Sequence, residues 1–275
     1  MTTVLMIPAY NPDVKMVSLL ADMPADVFEA IVIINDGSSP SYGPIFDRLK
    51  LLKNVILLEH DQNQGKGAAL KTGFAHVLNH IEHATGVITA DADGQHTRKD
   101  ILALAEAFEP GKKCLTIGSR AFDRDVPFRS AVGNRLTRWI MKWFFKINLS
   151  DTQSGLRAIP RPILPELLQI PYNRYEFEIE MLTKARKMGY GFNEIAVETI
   201  YENNNAASSF NPVVDSAKIY FVLFRYVLAS LATAAVDYLV FFIAYSFVPK
   251  IFLCTYLARM IALFVNFVIL KQFVF

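Results

Sequence analysis

Cysteine is scarce in this chain: its 275 residues include two, Cys114 and Cys254. Two thiols so far apart make no disulfide framework, and the chain suits a reducing compartment. An excess of charge of either sign is also missing. Lys and Arg number 28 against 26 Asp and Glu, a formal net charge of +2. That balance supplies no field for gripping nucleic acid, so none is expected as a partner. The opening residues, MTTVLMIPAYN, show neither a basic segment nor a small-residue cleavage site, and read as a strand entering a turn. Apolar surface, by contrast, is plentiful. The hydrophobic fraction is 52% and the mean hydropathy +0.26, high for a wholly soluble enzyme, so a lipid-facing segment is expected.

That segment is at the C-terminal end. Residues 226–248 and 251–270 are each near the ~20 apolar residues that span a bilayer. Only Pro249 and Lys250 join them, which makes an antiparallel hairpin. Lys218 and Arg225 precede the first span and Lys271 follows the second, so both outer ends are expected in the cytoplasm. Asp237 and Arg259 interrupt the spans at similar depth. An unpaired charge there is costly, so the two are expected to face each other or a shared polar cavity. Hairpins of this kind also assemble by packing, which leaves a homo-oligomer open.

Before the hairpin, short apolar runs alternate with helical patterns. Val4–Ile7, Ile31–Ile34, Val55–Leu58, Val87–Ala90 and Leu115–Ile117 read as buried parallel strands. Helical patterns lie around 14–23, 44–52, 66–81 and 100–108. The expected fold class is α/β: a mainly parallel, Rossmann-like sheet over residues 1–212, a juxtamembrane linker over 213–225, and an all-α transmembrane hairpin over 226–275. Right-handed crossovers bring the loops 9–12, 35–39 and 91–96 to the carboxyl edge, where open α/β sheets bind ligands.

The loop after the fourth strand carries the strongest chemical signal, DADGQH (91–96). Alternate residues of an extended segment point the same way, so Asp91 and Asp93 converge. Two like charges at one point call for a cation. Oxygen donors select a hard ion such as Mg²⁺ or Mn²⁺, which also binds phosphates, and Gln95 offers a further carbonyl. An Asx-turn or helix cap needs only one of the aspartates. Asp36 in DGSS (36–39) is placed to accept bonds from a base or ribose, with Gly37 permitting a tight turn. Lys66 opens a helix between two glycines and, with nearby N–H groups, is placed to meet phosphate, although the glycines alone also suit a helix boundary. Tyr10 stands at the first strand's exit.

Taken together, IPAYNP (7–12), NDGSSP (35–40), NQGKGAAL (63–70), DADGQH (91–96), GSR (118–120), DTQSGLRAIP (151–160) and YEFEIEML (175–182) resemble the family 2 glycosyltransferases. The branch they resemble most is the polyprenyl-phosphate one, which includes dolichol-phosphate mannose synthases and bactoprenol glucosyltransferases. The resemblance implies a GT-A fold, a UDP- or GDP-linked sugar donor, a divalent metal and a polyprenyl phosphate acceptor at the cell membrane. It places Pro8, Tyr10, Asp36, Asp91 and Ala92 against the nucleotide, and Asn11, Gly37, Lys66 and Asp93 complete the expected nucleotide-sugar site. It gives Asp91, Asp93 and Gln95 to the metal. Arg120 and Arg129 would grip the acceptor phosphate, and with the two aspartates they form the catalytic set. Where the family often has a serine four residues after the second arginine, this chain has Gly133 followed by Asn134. The two spans resemble the first half of a GtrA-like membrane domain, which usually has four, so the membrane part is expected to be a truncated form.

The acceptor also has a sequence argument. The Thr-Glu-Asp base and Q-x-x-R-W motif of processive family 2 synthases are absent. A sugar hydroxyl needs a general base; a lipid phosphate is already anionic and needs positive charge instead, which suits arginine's planar fork. Arg157 is a further candidate, or a structural partner of Asp151. RLTRWIMKWFFKI (135–147) sets Arg138, Lys142 and Lys146 beside Trp139 and Trp143, a pattern suited to a membrane interface or to packing on the sheet. The polar stretch 201–216 reads as a lid or a linker. Two competing readings remain: a hydroxyl acceptor with Asp151, Glu176 or Glu178 as base, and a membrane scaffold that binds a nucleotide without turnover.

Overall fold

The structure, a computed structural model, describes residues 2–24, 26–120, 141–143, 145–152, 154–198 and 214–269, without the side chains of 120 and 214–226. The chain divides into two compact units, Met1–Phe210 and Asn211–Phe275.

The first unit is built on β1 (Thr3–Ala9), β2 (Phe28–Asp36), β3 (Val55–His60), β4 (Gly86–Thr89), β5 (Cys114–Arg120), β6 (Arg157–Pro160) and β7 (Gly191–Val197). Their order across the sheet is β3-β2-β1-β4-β6-β5-β7. The apolar runs explain the centre of the sheet. Val4–Ile7 and Val32–Ile34 are fully buried, as strands covered on both faces must be. β1 pairs in parallel with both β2 and β4, and β2 with β3. Helices α1 (Lys15–Ala21), α2 (Gly43–Lys50), α3 (Lys66–His80) and α4 (Arg98–Ala107) follow the first four strands in turn. α3 presses Ala69, Leu70, Phe74 and Val77 into the core at helical spacing. Thr97 caps α4, its Oγ1 accepting from Asp100 N at 3.1 Å.

Two strands were not expected. β7 pairs in parallel with β5, and its exposed, polar outer positions hide it from a search for apolar runs. β6 is antiparallel to β4, with Thr89 opposite Arg157, and also to β5. This reversal matters for the site. A strand antiparallel to β4 starts where β4 ends, so the segment before β6 is delivered to the carboxyl edge beside Asp91. Later in the described residues of this unit come the helices α5 (Leu164–Leu168) and α6 (Glu176–Lys187).

The second unit consists of α7 (Val214–Phe247) and α8 (Ile251–Ile269). Within them, Val227–Phe247 and Ile251–Ile269 are long and apolar enough to cross a membrane. Small residues, Ala229, Cys254, Ala258 and Ala262, are buried between them, as close helix packing in lipid requires. Two polar links add to this contact. Thr233 Oγ1 donates to Asn266 Oδ1 at 3.0 Å, and Arg259 Nη1 lies 3.2 Å from Asp237 Oδ2. The two interrupting charges therefore do face each other. Asp237 stands ten residues from either end of its span, about 15 Å from each boundary at 1.5 Å per residue. Replacing Asp237 with Leu strands Arg259 there and should cost the hairpin about 2–3 kcal/mol. The double variant Asp237→Leu/Arg259→Leu should regain most of that loss in thermal unfolding in bicelles. A double variant as unstable as the single would show that the pair is not what neutralises Arg259.

Candidate active site

The first two edge loops are pinned to each other. Asn11 adopts a left-handed backbone, φ 49°, tolerable for asparagine. Its N–H donates to Ser38 Oγ at 2.9 Å, and its Oδ1 accepts from Ser39 N at 3.0 Å. Tyr10 beside it is 41% exposed, an aromatic face open at the edge. Gly37, φ +67°, packs so tightly on the backbone of Gln62 and Asn63 that any Cβ would overlap it. Pro8 and Ala92 are both half-buried along this edge.

Asp36 is buried and organises the loop that carries Lys66. Its Oδ1 accepts from Gln64 N at 2.9 Å and lies 2.7 Å from His60 Nδ1; its Oδ2 accepts from Gly65 N at 2.8 Å. Three partners fill three of a carboxylate's roughly four acceptor positions. His60 Nε2 is held in turn at 2.9 Å from Thr72 Oγ1. Nothing in the sequence marked His60, whose signal is visible only when β2, β3 and α3 are side by side.

Lys66 then reaches across the edge. Its Nζ lies 2.6 Å from Asp91 Oδ1 and 2.9 Å from Glu178 Oε1. α3 and α6 approach closely enough for this because residue 67 is glycine: a Cβ there would run into Phe177 and the Asn173 backbone. Ala68 N donates to Asn173 O at 2.9 Å, fixing the same junction. Burial would pull the Lys66 ammonium down, but the carboxylates of Asp91 and Glu178 outweigh it and hold Lys66 above its ordinary value. Burial would likewise push the Asp91 carboxyl up, yet Lys66, with His96, holds it well below the usual carboxylate range. Burial and the Asp91 charge both push Asp93 up; the Gln95 N–H, His96 and Lys66 pull it down, as at Asp91, but more weakly.

Asp91 is also shaped by its neighbours. Gly155 packs directly on its carboxylate, leaving no room for a Cβ. Thr89 Oγ1 donates to Gly155 O at 2.7 Å, tying that glycine to the end of β4. His96 Nε2 is 3.5 Å from Asp91 Oδ2, too long for a good hydrogen bond. That buried nitrogen has no hydrogen-bond partner among the described residues. Asp93 Oδ1 accepts from Gln95 N at 3.0 Å, with Gly94 at φ +75° between them. The Asx-turn weighed from sequence is thus present at Asp93.

A chain with this order of motifs has known relatives. The family model "Glycosyl transferase family 2" matches residues 5–162, more than half of the chain. The chain is a family 2 glycosyltransferase. Among its relatives is the UDP-N-acetylglucosamine–dolichyl-phosphate N-acetylglucosaminyltransferase of Methanococcus voltae, 30% identical over 80% of this chain and 93% of that one. The polyprenol monophosphomannose synthase of Mycolicibacterium smegmatis is 26% identical over 61% of this chain and 65% of its own. Among solved structures, glucosyl-3-phosphoglycerate synthase from Mycobacterium tuberculosis, in complex with Mn²⁺, UDP and glucosyl-3-phosphoglycerate, superposes with a TM-score of 0.59. It is 15% identical, over 81% of this chain and 78% of that one, a likeness of fold. The transferase unit is GT-A-like: a mixed, mainly parallel sheet with helices.

Not every expected residue of the transferase gathers here. The backbone of Arg120 ends β5, with no account of its side chain, and Arg129, Asn134 and Trp139 lie outside the described residues. So do Lys271 and most of 201–216. Trp143 is 70% exposed, whereas Met141 and Ile147 are buried, so the described part of 135–147 has one face on the sheet unit's core. Arg157 is not an acceptor ligand. Its guanidinium is buried, donating through Nε to Ser154 O at 2.8 Å, through Nη1 to Glu178 O at 2.8 Å and through Nη2 to Thr152 O at 3.2 Å. Glu178, weighed as a base, is instead the second anchor of Lys66, and Asp151 is fully buried.

Proposed function

We propose that this transferase moves a sugar from a UDP- or GDP-linked donor to a polyprenyl phosphate, with inversion, at the cytoplasmic face of the cell membrane. The observation that carries the reading is the presence in one chain of the family 2 carboxylate edge and two membrane-length helices. Relatives named for dolichyl- and polyprenyl-phosphate acceptors support it. The basic residues Lys218, Arg225 and Lys271 flanking the spans, against Lys250 at the turn, support the cytoplasmic side.

A divalent ion suits the residues present. Among the described residues no three His, Cys, Asp or Glu side chains form a ready-made metal site. Two carboxylates completed by phosphate oxygens are nevertheless an ordinary Mg²⁺ arrangement. Asp91 and Asp93 supply them, Gln95 adds a neutral oxygen, and the unpartnered His96 nitrogen stands beside them. Mg²⁺ or Mn²⁺ bound there would neutralise charge on the departing diphosphate.

The chain's own residues do the rest. Tyr10 and the Asn11–Ser38 loops offer a surface for the base, and the Asp36-anchored turn presents Gly37 and Lys66 to the nucleotide. Arg120 and Arg129, with Asn134, bring cationic and polar groups to the acceptor phosphate. An anionic phosphate oxygen attacks the anomeric carbon without a general base, which agrees with Glu178 being spent on Lys66 and Asp151 being buried.

The test is transfer from a panel of radiolabelled nucleotide sugars to undecaprenyl phosphate in detergent, with and without Mg²⁺ or Mn²⁺. A metal-dependent, chloroform-soluble product is expected. Asp93→Ala should lower its rate about a thousandfold, the scale for losing a group that stabilises developing charge. Metal-dependent consumption of a donor with no lipid product would replace this reading with a hydroxyl acceptor.

A further inference from the structure

The ammonium of Lys66 already holds Asp91, the carboxylate that a divalent ion at this edge would share. It bridges Asp91 Oδ1 at 2.6 Å and Glu178 Oε1 at 2.9 Å, and its side chain is 17% exposed. The third acid of the edge, Asp93, lies two residues from Asp91 and has Gln95 N on one oxygen. The backbone behind the lysine is fixed. Gly65 N is tied to Asp36, Ala68 N to Asn173 O, and Gly67 lies against Phe177. The part with rotatable bonds is therefore the lysine's four-carbon stem. On the other side, Glu178 is held by the first turn of α6, where its carbonyl accepts from the buried Arg157.

We propose that Lys66 is a resident counter-ion: it keeps a divalent cation off Asp91 and Asp93 until a nucleoside diphosphate arrives, and Glu178 is the positioning residue that retains it. An ammonium and a divalent ion on one carboxylate repel each other over a few ångströms, so each weakens the other's hold. A diphosphate changes that balance. Its oxygens complete the shell of the divalent ion and also accept from Lys66, so all three charges fit once it is bound. Metal and nucleotide then bind as one event. This rests on the donor-binding reading above. It differs from a merely structural ion triad, which would leave the metal affinity independent of the nucleotide.

The experiment is Mn²⁺ binding to the full chain in detergent, followed by the electron paramagnetic resonance signal of free Mn²⁺, without nucleotide and with UDP or GDP. The wild type should bind Mn²⁺ weakly alone and tightly with nucleotide. Lys66→Met should bind Mn²⁺ alone about tenfold more tightly or better, because Asp91 and Glu178 lose their cation. Lys66→Arg keeps the charge and should behave as wild type. Should Lys66→Met fail to fold, Lys66→Gln still donates to the carboxylates and gives the same readout. Lys71→Met is the control for a general charge effect, since Lys71 Nζ is engaged with Ile170 O and Asn173 Oδ1 instead; it should change nothing. Equal nucleotide-free affinity in wild type and Lys66→Met overturns the proposal, as does an equal gain in Lys71→Met. Mn²⁺ binding that depends on Lys66 in a protein that glycosylates no lipid would sustain the counter-ion role and remove the lipid acceptor. Mn²⁺ binding indifferent to nucleotide in an active lipid glycosyltransferase would do the reverse.

Discussion

Gly155→Ala should remove most of the transfer activity while leaving the chain folded. The added methyl would overlap the Asp91 carboxylate, the group that joins Lys66 to the edge. Gly155 cannot retreat, because Thr89 Oγ1 holds its carbonyl at 2.7 Å and β6 begins two residues later. The carboxylate must therefore turn, and in turning it leaves Lys66. Overpacking of this size costs about 1–2 kcal/mol of stability, within what a folded domain tolerates. A catalytic group moved by about 1 Å costs on the order of a hundredfold in rate. Transfer to undecaprenyl phosphate should thus fall about a hundredfold, with a thermal midpoint only a few degrees lower. A variant within threefold of wild-type activity would mean that the position of Asp91 does not limit the reaction.

Gly155 also shows what the sequence displays and what it withholds. The first five strands, β1 to β5, are legible because each is a short apolar run closed by turn residues, and four helices follow from apolar spacing. The DADGQH signal is legible because alternation along an extended segment needs no tertiary knowledge. The contacts around it are not. β6 is only four residues long, and its antiparallel direction depends on which strands it joins. Without that direction, Gly155 cannot be put against Asp91, nor Arg157 taken out of the acceptor site. Glu178 was visible as one of three acids on α6, but its partner Lys66 is more than a hundred residues earlier. In the hairpin the reverse holds. Depth along a helix is a count of residues, so the pairing of Asp237 with Arg259 follows from the sequence once the turn at Pro249–Lys250 is located.

Arg157→Met should strongly destabilise the transferase unit. The guanidinium is among the largest fully buried side chains and serves three backbone carbonyls, those of Thr152, Ser154 and Glu178. Methionine fills similar space and donates nothing, leaving those carbonyls unpaired in the core. It also removes the cation 4.0 Å from Glu178 Oε1. Breaking a buried charged network from one side costs about 3–5 kcal/mol, a large part of the 5–15 kcal/mol that holds a typical domain. Arg157→Lys should recover only a fraction, since an ammonium cannot reach three carbonyls set around a planar fork. Urea unfolding of the full chain in detergent checks both, because the membrane helices persist while the sheet unit unfolds. A midpoint within error of wild type for Arg157→Met would show that the three carbonyls find other donors. If the loss is as large as expected, activity should fall at temperatures where the sheet is still intact. The carbonyls of Ser154 and Glu178 belong to the two segments that place Gly155 against Asp91 and Glu178 against Lys66, and loosening them misplaces the site before it unfolds the domain.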